Sequence, residues 1–261
     1  MRVPLLAANW KMNKTIPDAL AFAGAFVPQM LEVTGGAEWP EILVCPPFTA
    51  IPAVAAAFSS YPVKVGAQNL YWQEKGAFTG EVSPSMLRDA GCSYVIVGHS
   101  ERRHLFGETD EMAREKVRAA LDNGLRPVLC VGETLEQRED GKALEVVGEM
   151  TRLGLSEVKP GDIDNVVIAY EPVWAIGTGK EAKPEDAREV IAHVRRTVSG
   201  MLGEPAGEMV RVLYGGSVKS TNIRSFMAHE EIDGALVGGA SLDAGEFAKM
   251  VLEVRKGRTQ P

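Results

Sequence analysis

Short runs of apolar, strand-forming residues recur along the chain, and most of them are continuously apolar instead of alternating with polar positions. Such runs are typical of strands whose two faces are both buried, as in a parallel sheet. We predict eight strands from them, in the following order: Leu5–Ala8, Ile42–Cys45, Val63–Ala67, Tyr94–Gly98, Val128–Val131, Val166–Tyr170, Val210–Tyr214 and Ala235–Val237.

Helical patterns lie between the predicted strands. Two stretches place apolar residues at the three- and four-residue spacing of one helix face. The first follows Thr15 and contains Leu20, Ala23, Val27 and Met30 or Leu31. The second follows Pro184 and contains Ala187, Val190, Ile191, Val194, Val198 and Met201. Ser83 before Pro84, and Thr109 before two acidic residues, are suited to cap two further helices.

The alternation of strands and helices indicates a parallel sheet. Eight such units within 261 residues favour closure into a (β/α)₈ barrel, the TIM-barrel architecture, over an open sheet. No linker or shift in composition separates one part of the chain from another, so we predict a single domain over residues 1–261. The Gly- and Pro-rich segment Gly203–Gly207 is predicted to be a surface loop before the seventh strand.

Composition and charge argue against several classes of protein. The formal net charge of −7 makes a nucleic-acid partner or a membrane-surface partner a poor expectation. No apolar run reaches the roughly 18 residues of a membrane span, and Val3–Ala8 is too short for a signal peptide. Cys45, Cys92 and Cys130 have no metal-ligand spacing, so we expect no metal site and a reducing, cytoplasmic location.

Polar and glycine-rich residues concentrate directly after five of the predicted strands. These residues are Asn9 and Lys11 after the first, His99 and Ser100 after the fourth, Glu171 after the sixth, Gly215-Gly216-Ser217 after the seventh and Gly238-Gly239 after the eighth. In a barrel all these positions lie on the C-terminal rim, where active sites are built. The pattern therefore predicts one polar site at that rim.

The segments that carry these residues resemble motifs of the triosephosphate isomerases. The matching segments are Asn9–Asn13, Gly98–Arg103, Ala169–Lys180, Tyr214–Val218 and Leu236–Ser241. They run in family order over nearly the whole chain, and the tail Arg255–Pro261 matches nothing. The resemblance implies a cofactor-free isomerase of glycolysis and gluconeogenesis. Such an enzyme interconverts dihydroxyacetone phosphate and D-glyceraldehyde 3-phosphate by proton transfer through an enediolate.

The resemblance also implies a role for each catalytic residue. Glu171 would be the general base, and Pro172 restricts the backbone before it to an extended form. His99, helped by Asn9 and Lys11, would stabilise the enediolate. We expect the imidazole of His99 to be neutral, because the positive end of a helix that begins after it disfavours the imidazolium. Glu101 would lie near Lys11 in a supporting role.

Substrate binding and dimerisation follow from the same resemblance. The implied substrate contacts come from Asn9, Trp10, Lys11, Gly177, Ser217, Gly238 and Gly239. The segment Ala175–Lys180 would close over the substrate as a lid. The long segment Gly66–Glu81 contains aromatic residues and Thr79, which indicates either an Ω-loop packed on itself or an interface. The resemblance favours an interface, and thus a homodimer through this loop.

Two other functions stay open at this point. Another phosphosugar isomerase built on a barrel, such as one of amino-acid biosynthesis, would keep the phosphate loops but has no need for the set Asn9, Lys11, His99 and Glu171. A non-catalytic barrel that serves as a scaffold would be expected to lack at least one of these four residues. The fold alone does not decide among these functions.

Overall fold

Eight parallel strands close into a barrel in the computed structural model, which describes residues 2–34, 40–175 and 182–258. The strands are β1 (Leu5–Asn9), β2 (Glu41–Cys45), β3 (Val63–Ala67), β4 (Tyr94–Val97), β5 (Arg126–Val131), β6 (Val167–Tyr170), β7 (Arg211–Tyr214) and β8 (Gly234–Val237). Each strand pairs with the next along the chain, and β8 pairs with β1. The predicted (β/α)₈ barrel is confirmed.

Helices surround the barrel on the outside. They are α1 (Ile16–Thr34), α2 (Ile51–Phe58), α3 (Pro84–Asp89), α4 (Ser100–Phe106), α5 (Asp110–Asp122), α6 (Leu135–Glu139), α7 (Ala143–Gly154), α8 (Pro184–Leu202), α9 (Glu204–Met209), α10 (Ile223–Met227) and α11 (Ala244–Arg258). Short 3₁₀ turns cover Phe48–Ala50, Pro160–Asn165, Val173–Ala175 and Gly239–Leu242. Among the residues described, no helix is long and apolar enough to cross a membrane.

The buried apolar side chains form two layers, because successive residues of a strand point to opposite faces. One cluster fills the barrel interior and includes Leu5, Leu43, Tyr94 and Val128. The larger cluster lies between the barrel and its helices. Gly66 faces the interior, where a Cβ atom would come within 2.9 Å of the sulfur of Cys45. Most residues on both faces of the strands are therefore buried, which explains the continuous apolar runs in the sequence, and Lys64 of β3 is exposed.

The strand limits agree with the sequence prediction to within one or two residues. The bounds of β3 are those predicted, and β4 ends one residue early, at Val97. Gly98 has φ +69°, a left-handed conformation that cannot continue a strand. The turn that this glycine makes directs the chain into the residues of the predicted site.

The predicted apolar face of α1 is wrong at one position. Ala23, Val27 and Met30 are buried as expected, but Leu20 is 45% exposed. The buried face is centred on Phe22 and Phe26 instead, which the prediction omitted. At about 100° per residue Leu20 lies just beyond the edge of that face. A pattern that counts spacings alone does not separate the edge of an apolar stripe from its centre.

The predicted loop at Gly203–Gly207 is also wrong, because the short helix α9 begins at Glu204. Pro205 lies in its first turn, where the missing N–H of proline removes no helical hydrogen bond. Gly207 is buried against α8, and a Cβ there would come within 2.1 Å of the hydroxyl of Ser199. The two glycines and the proline thus serve close helix packing and a helix start, not a surface turn.

The predicted helix caps are confirmed. The hydroxyl of Ser83 accepts a hydrogen bond from the backbone N–H of Met86 at 3.4 Å, and α3 begins directly after it. The hydroxyl of Thr109 accepts from the N–H of Met112 at 3.2 Å at the start of α5. Each cap satisfies one of the free N–H groups at a helix start.

Candidate active site

A cavity of about 370 Å³ opens at the C-terminal ends of the strands. It is lined by Asn9, Lys11, His99, Glu101, Glu171, Gly215, Gly216, Ser217, Val218, Lys219, Leu236, Gly238, Gly239 and Ala240. The structure thus brings together most of the site residues predicted from the sequence. Gly177 lies outside the described residues. Trp10 is absent from the cavity lining, and Lys219 lines the cavity without having been predicted.

Glu171 is a buried carboxylate with two specific neighbours. It is 2% exposed, its Oε1 lies 2.9 Å from Nε2 of His99, and its Oε2 accepts a hydrogen bond from the N–H of Ser100 at 2.9 Å. Burial raises the pKa of Glu171, but His99, the Ser100 N–H and Lys11 lower it more, so the net direction is down. The group is therefore a desolvated carboxylate that stays ionised.

Two glycines make room for this carboxylate. A Cβ on Gly215 would come within 2.9 Å of Cγ of Glu171, and a Cβ on Gly132 would lie 1.7 Å from the carbonyl oxygen of Glu171. Since real side chains do not make contacts this short, any larger residue at either position would displace the glutamate. The glycines at the ends of β5 and β7 thus fix where the carboxylate of Glu171 can lie.

His99 is held in one orientation at the start of α4. Its Nδ1 accepts a hydrogen bond from the N–H of Glu101 at 3.2 Å, which places the ring proton on Nε2, facing Glu171. Burial lowers the pKa of His99, but the carboxylates of Glu171 and Glu101 raise it more, so the net direction is up. This direction is opposite to the sequence prediction, which considered the helix end and not the contact with Glu171.

Lys11 lies in a strained backbone conformation, with φ +53°. The side chain of Asn9 accepts from its N–H at 3.0 Å, and Gln68 donates to its carbonyl oxygen at 2.8 Å. The ammonium group donates to Oε1 of Glu101 at 2.7 Å. The sequence prediction found Lys11, Asn9 and Glu101 but missed Gln68, because nothing in the sequence indicates which loop residue reaches a distant backbone.

Glycine-rich backbone forms the opposite wall of the cavity. Gly238 lies against Lys11, and a Cβ there would be 3.3 Å from Cε of that lysine. A 3₁₀ turn begins at Gly239, as the sequence predicts for a phosphate loop. Backbone N–H groups at the start of such a turn are suited to bind an oxyanion. Lys219 adds an exposed cation at the edge of this wall.

Trp10 does not belong to the site. Its side chain is fully buried in the outer core layer, with its ring 4.9 Å from that of Phe22. The reason is the alternation of the strand: Asn9 points toward the rim, so the next residue points to the helices. The predicted substrate contact from Trp10 is therefore wrong for its side chain.

The chain directly before the predicted lid, and the first lid residue Ala175, are anchored to the barrel. Trp174 and Tyr170 both donate to Oε1 of the buried Glu133, at 2.8 and 3.0 Å. The hydroxyl of Ser217 donates to the carbonyl oxygen of Ala175 at 2.9 Å. The remainder of the predicted lid, residues 176–180, lies outside the described residues. Glu133 was missed from the sequence, since a lone glutamate after a strand carries no distinguishing pattern.

Comparison with known proteins identifies close relatives of this chain. The family model described as triosephosphate isomerase matches residues 4–254. The chain is 54% identical over 251 residues to the triosephosphate isomerase of Moorella thermoacetica, covering 96% of this chain and 98% of the relative. It is 52% identical over 251 residues to that of Caldanaerobacter subterraneus subsp. tengcongensis, covering 96% and 99%. It is 52% identical over 260 residues to that of Symbiobacterium thermophilum, covering the whole of both chains.

Proposed function

The chain belongs to the triosephosphate isomerase family, and we propose that the cavity at its C-terminal rim carries out the reaction that this name describes. The reaction is the cofactor-free interconversion of dihydroxyacetone phosphate and D-glyceraldehyde 3-phosphate, in glycolysis and gluconeogenesis. One observation carries the proposal: an ionised, desolvated carboxylate lies 2.9 Å from an imidazole N–H in a cavity that also holds an ammonium group. A base, a donor for a developing oxyanion and a cation for a dianion are what an enediolate mechanism requires.

The proton transfer is proposed to run through Glu171. Its carboxylate removes the proton from the carbon beside the carbonyl and returns it to the adjacent carbon. His99, with Nε2 protonated, donates to the oxygen that becomes negative, and Asn9 and Lys11 stabilise the same charge. Because Glu171 and His99 contact each other in the structure, the substrate takes the place of this contact when it binds. Each group then exchanges its partner for a substrate atom.

The phosphate group is proposed to bind the glycine-rich wall. The donors are the backbone N–H groups of Ser217, Gly238, Gly239 and, from the lid, Gly177. The ammonium group of Lys11 supplies the nearby positive charge that a dianion needs in a chain of net charge −7. Closure of the lid would exclude water and keep the enediolate from expelling phosphate.

A homodimer through the loop Gly66–Glu81 is proposed as the assembled form. Within this loop the ring of Tyr71 contacts those of Trp72 and Phe78 at 4.2 and 4.5 Å, so the loop is packed as a unit. Phe78 is 40% exposed on this loop. Large apolar side chains are also exposed elsewhere: Met12 (95%) next to Lys11, Met86 (55%) on α3, and Leu105 (74%) and Phe106 (69%) on α4. Exposed apolar groups of this kind are typical of an interface.

The cytoplasm is the proposed location of the enzyme. Cys45, Cys92 and Cys130 are free thiols and buried. Burial raises the pKa of Cys92 to about 12, so this thiol is unreactive at neutral pH. Free thiols are the usual state in a reducing compartment. Among the described residues no cluster of His, Cys, Asp and Glu is placed to hold a metal ion.

The proposed function is tested by measuring isomerisation in both directions with a coupled assay. Wild-type protein should turn over both triose phosphates without added metal or cofactor. Glu171→Asp withdraws the carboxylate by about 1 Å and should lower kcat/KM on the order of 10²-fold. Glu189→Asp makes the same change on the exposed surface of α8 and should leave the rate unchanged. Equal rates for the two variants would remove Glu171 from the mechanism, and an inactive wild type would refute the function.

A further inference from the structure

A second cavity, of about 1000 Å³, opens at the opposite, N-terminal end of the barrel. It is lined by Arg2, Val3, Pro40, Glu41, Pro62, Lys64, Arg126, Asp164, Glu208, Met209 and Arg211. Its floor is formed by side chains at the starts of the strands. The proposed isomerase mechanism uses none of these residues, so their arrangement needs its own explanation.

The alternation of the strands directs four charged side chains into the barrel axis at this end. Glu41, Arg126 and Arg211 each lie two residues before an interior residue of β2, β5 and β7, namely Leu43, Val128 and Leu213. Lys64 likewise lies two residues before Gly66, whose missing Cβ faces the interior residues Cys45, Leu43 and Tyr94. The floor of the cavity therefore holds three cations and one carboxylate.

The single carboxylate of this floor is already engaged. Oε2 of Glu41 accepts from Arg211, and Oε1 accepts from the hydroxyl of Tyr94 at 2.7 Å. Arg211 also donates to that hydroxyl, at 2.9 Å. Glu41, Tyr94 and Arg211 thus form a closed set of hydrogen bonds, in which one negative charge is matched by one positive charge.

Lys64 and Arg126 are left with unused donors. Arg126 makes one hydrogen bond, from Nη1 to the hydroxyl of Tyr94 at 3.1 Å, and lies 3.8 Å from the already engaged Glu41. Its side chain is 42% exposed. Lys64 makes no hydrogen bond or ion pair within the described part of the chain. Two positive charges with free N–H groups therefore face the same cavity, in a protein whose net charge is negative.

The other charged groups around the cavity do not cancel this surplus at its floor. Arg2 is committed to Asp233 at 2.7 Å and to two backbone carbonyls. Asp164 and Glu208 are exposed and lie among the lining residues outside the four-residue floor. A smaller cavity of about 390 Å³ shares Glu41, Lys64 and Arg126 and adds Asp162 and Asn165. The carboxylate of Asp162 is paired with Arg118 at 3.1 Å, so it does not neutralise Lys64 or Arg126.

We propose that the N-terminal mouth of the barrel binds a small oxyanion of the phosphate class between Lys64 and Arg126. The anion would accept from the unused donors of both side chains and offset their mutual repulsion. Inorganic phosphate and a phosphate monoester share this chemistry. The site lies at the opposite end of the barrel from the cavity of Glu171, so the proposal does not depend on the isomerase function.

The test is a titration followed by amide NMR shifts, with inorganic phosphate and with glycerol 3-phosphate as two separate probes at constant ionic strength. It is done in Lys11→Met, because that substitution weakens anion binding at the catalytic end. We expect saturable shifts at the amides of Lys64, Ser93, Tyr94 and Asn165. The probe that saturates at the lower concentration identifies the source of the phosphate group.

Lys64→Gln is the decisive variant, because this side chain has no partner within the described chain and its loss should not disturb the fold. Added to Lys11→Met, it should weaken binding at the N-terminal mouth by about tenfold, and Arg126→Gln should do the same. Lys249→Gln removes an exposed lysine of α11 and should change nothing. Shifts that rise linearly without saturation, or equal affinity with and without Lys64, would overturn the proposal.

Discussion

Lys11→Met keeps most of the length of the side chain and removes its charge, which isolates the electrostatic role of this residue. In the structure the ammonium group lies 2.7 Å from Oε1 of Glu101, and the two side chains are 28% and 41% exposed. An exposed ion pair of this kind stabilises a fold by about 0–1 kcal/mol. The variant should therefore unfold at nearly the same temperature as wild type. Any large effect must then arise in substrate binding or in the reaction.

The effect on activity follows from what remains in the cavity. Two unit charges about 4 Å apart near a protein surface interact by about 4 kcal/mol, and each 1.4 kcal/mol is about tenfold in rate. We therefore expect kcat/KM to fall on the order of 10³-fold. Part of this loss comes from Glu101, whose carboxylate would face the substrate dianion without its partner. The double variant Lys11→Met, Glu101→Gln should accordingly recover about tenfold.

The coupled isomerisation assay measures these changes, and thermal unfolding checks the fold of each variant. Lys219→Met is the matched comparison, because Lys219 lines the same cavity as an exposed cation. It should reduce kcat/KM far less than Lys11→Met and mainly at low salt, as expected for a cation that acts by steering. Near-native kcat/KM in Lys11→Met would show that Lys11 is a surface lysine. No recovery in the double variant would refute the role given to Glu101.

Three further predictions test the lid, the ion pair and the dimer. Deletion of Ala175–Gly179 should lower the rate of isomerisation and cause release of methylglyoxal and inorganic phosphate, both measured by NMR. A lower rate of isomerisation without methylglyoxal would show that the lid acts only in binding or positioning the substrate. The pKa of Glu171 is lowered and that of His99 raised, so their contact stabilises the fold most between about pH 4.5 and 6.5. This stabilisation is lost as pH falls through the pKa of Glu171 or rises through the pKa of His99. The difference in free energy of unfolding between wild type and Glu171→Gln, measured in urea at each pH, should show both losses. Phe78→Asp changes an exposed apolar residue of the loop Gly66–Glu81 and should give a monomer by light scattering, and an unchanged mass would place the interface elsewhere.

The strands and their order were predictable because most residues on both faces of the strands are buried. Leu5–Ala8 reads as a buried strand with no knowledge of its neighbours, and β1 of the structure contains these four buried residues and adds only Asn9. Errors arose where a residue type has two physical uses. Pro205 and Gly207 suit a turn as well as a helix start and a close helix contact. Leu20 is apolar but lies at the edge of the buried face, where burial depends on the neighbouring helix.

The sequence predicted which residues gather at the site, but it did not predict which of them contact each other. Their positions after successive strands place them on one rim whatever the loops do. The direction in which the pKa of His99 shifts was not predictable. It depends on a 2.9 Å contact with Glu171, which lies 72 positions away in sequence. For Trp10 the error is different. The residue was assigned to the cavity because it lies within a motif, but the alternation of the strand turns its side chain to the outer core.

The position of Glu171 illustrates why the site depends on residues that no motif includes. Its carbonyl oxygen occupies the space that a Cβ on Gly132 would need, at 1.7 Å, although Gly132 is on a different strand end. Gly132→Ala would therefore force the ends of β5 and β6 apart and move the carboxylate by a fraction of an ångström or more. Overpacking in a rigid core costs about 1–3 kcal/mol, and displacement of a catalytic group by about 1 Å can cost on the order of 10²-fold in rate. We expect both losses in Gly132→Ala, by urea unfolding and by kcat. Loss of stability with unchanged kcat would show that the base tolerates this movement, and that its placement is set by Ser100 and His99 alone.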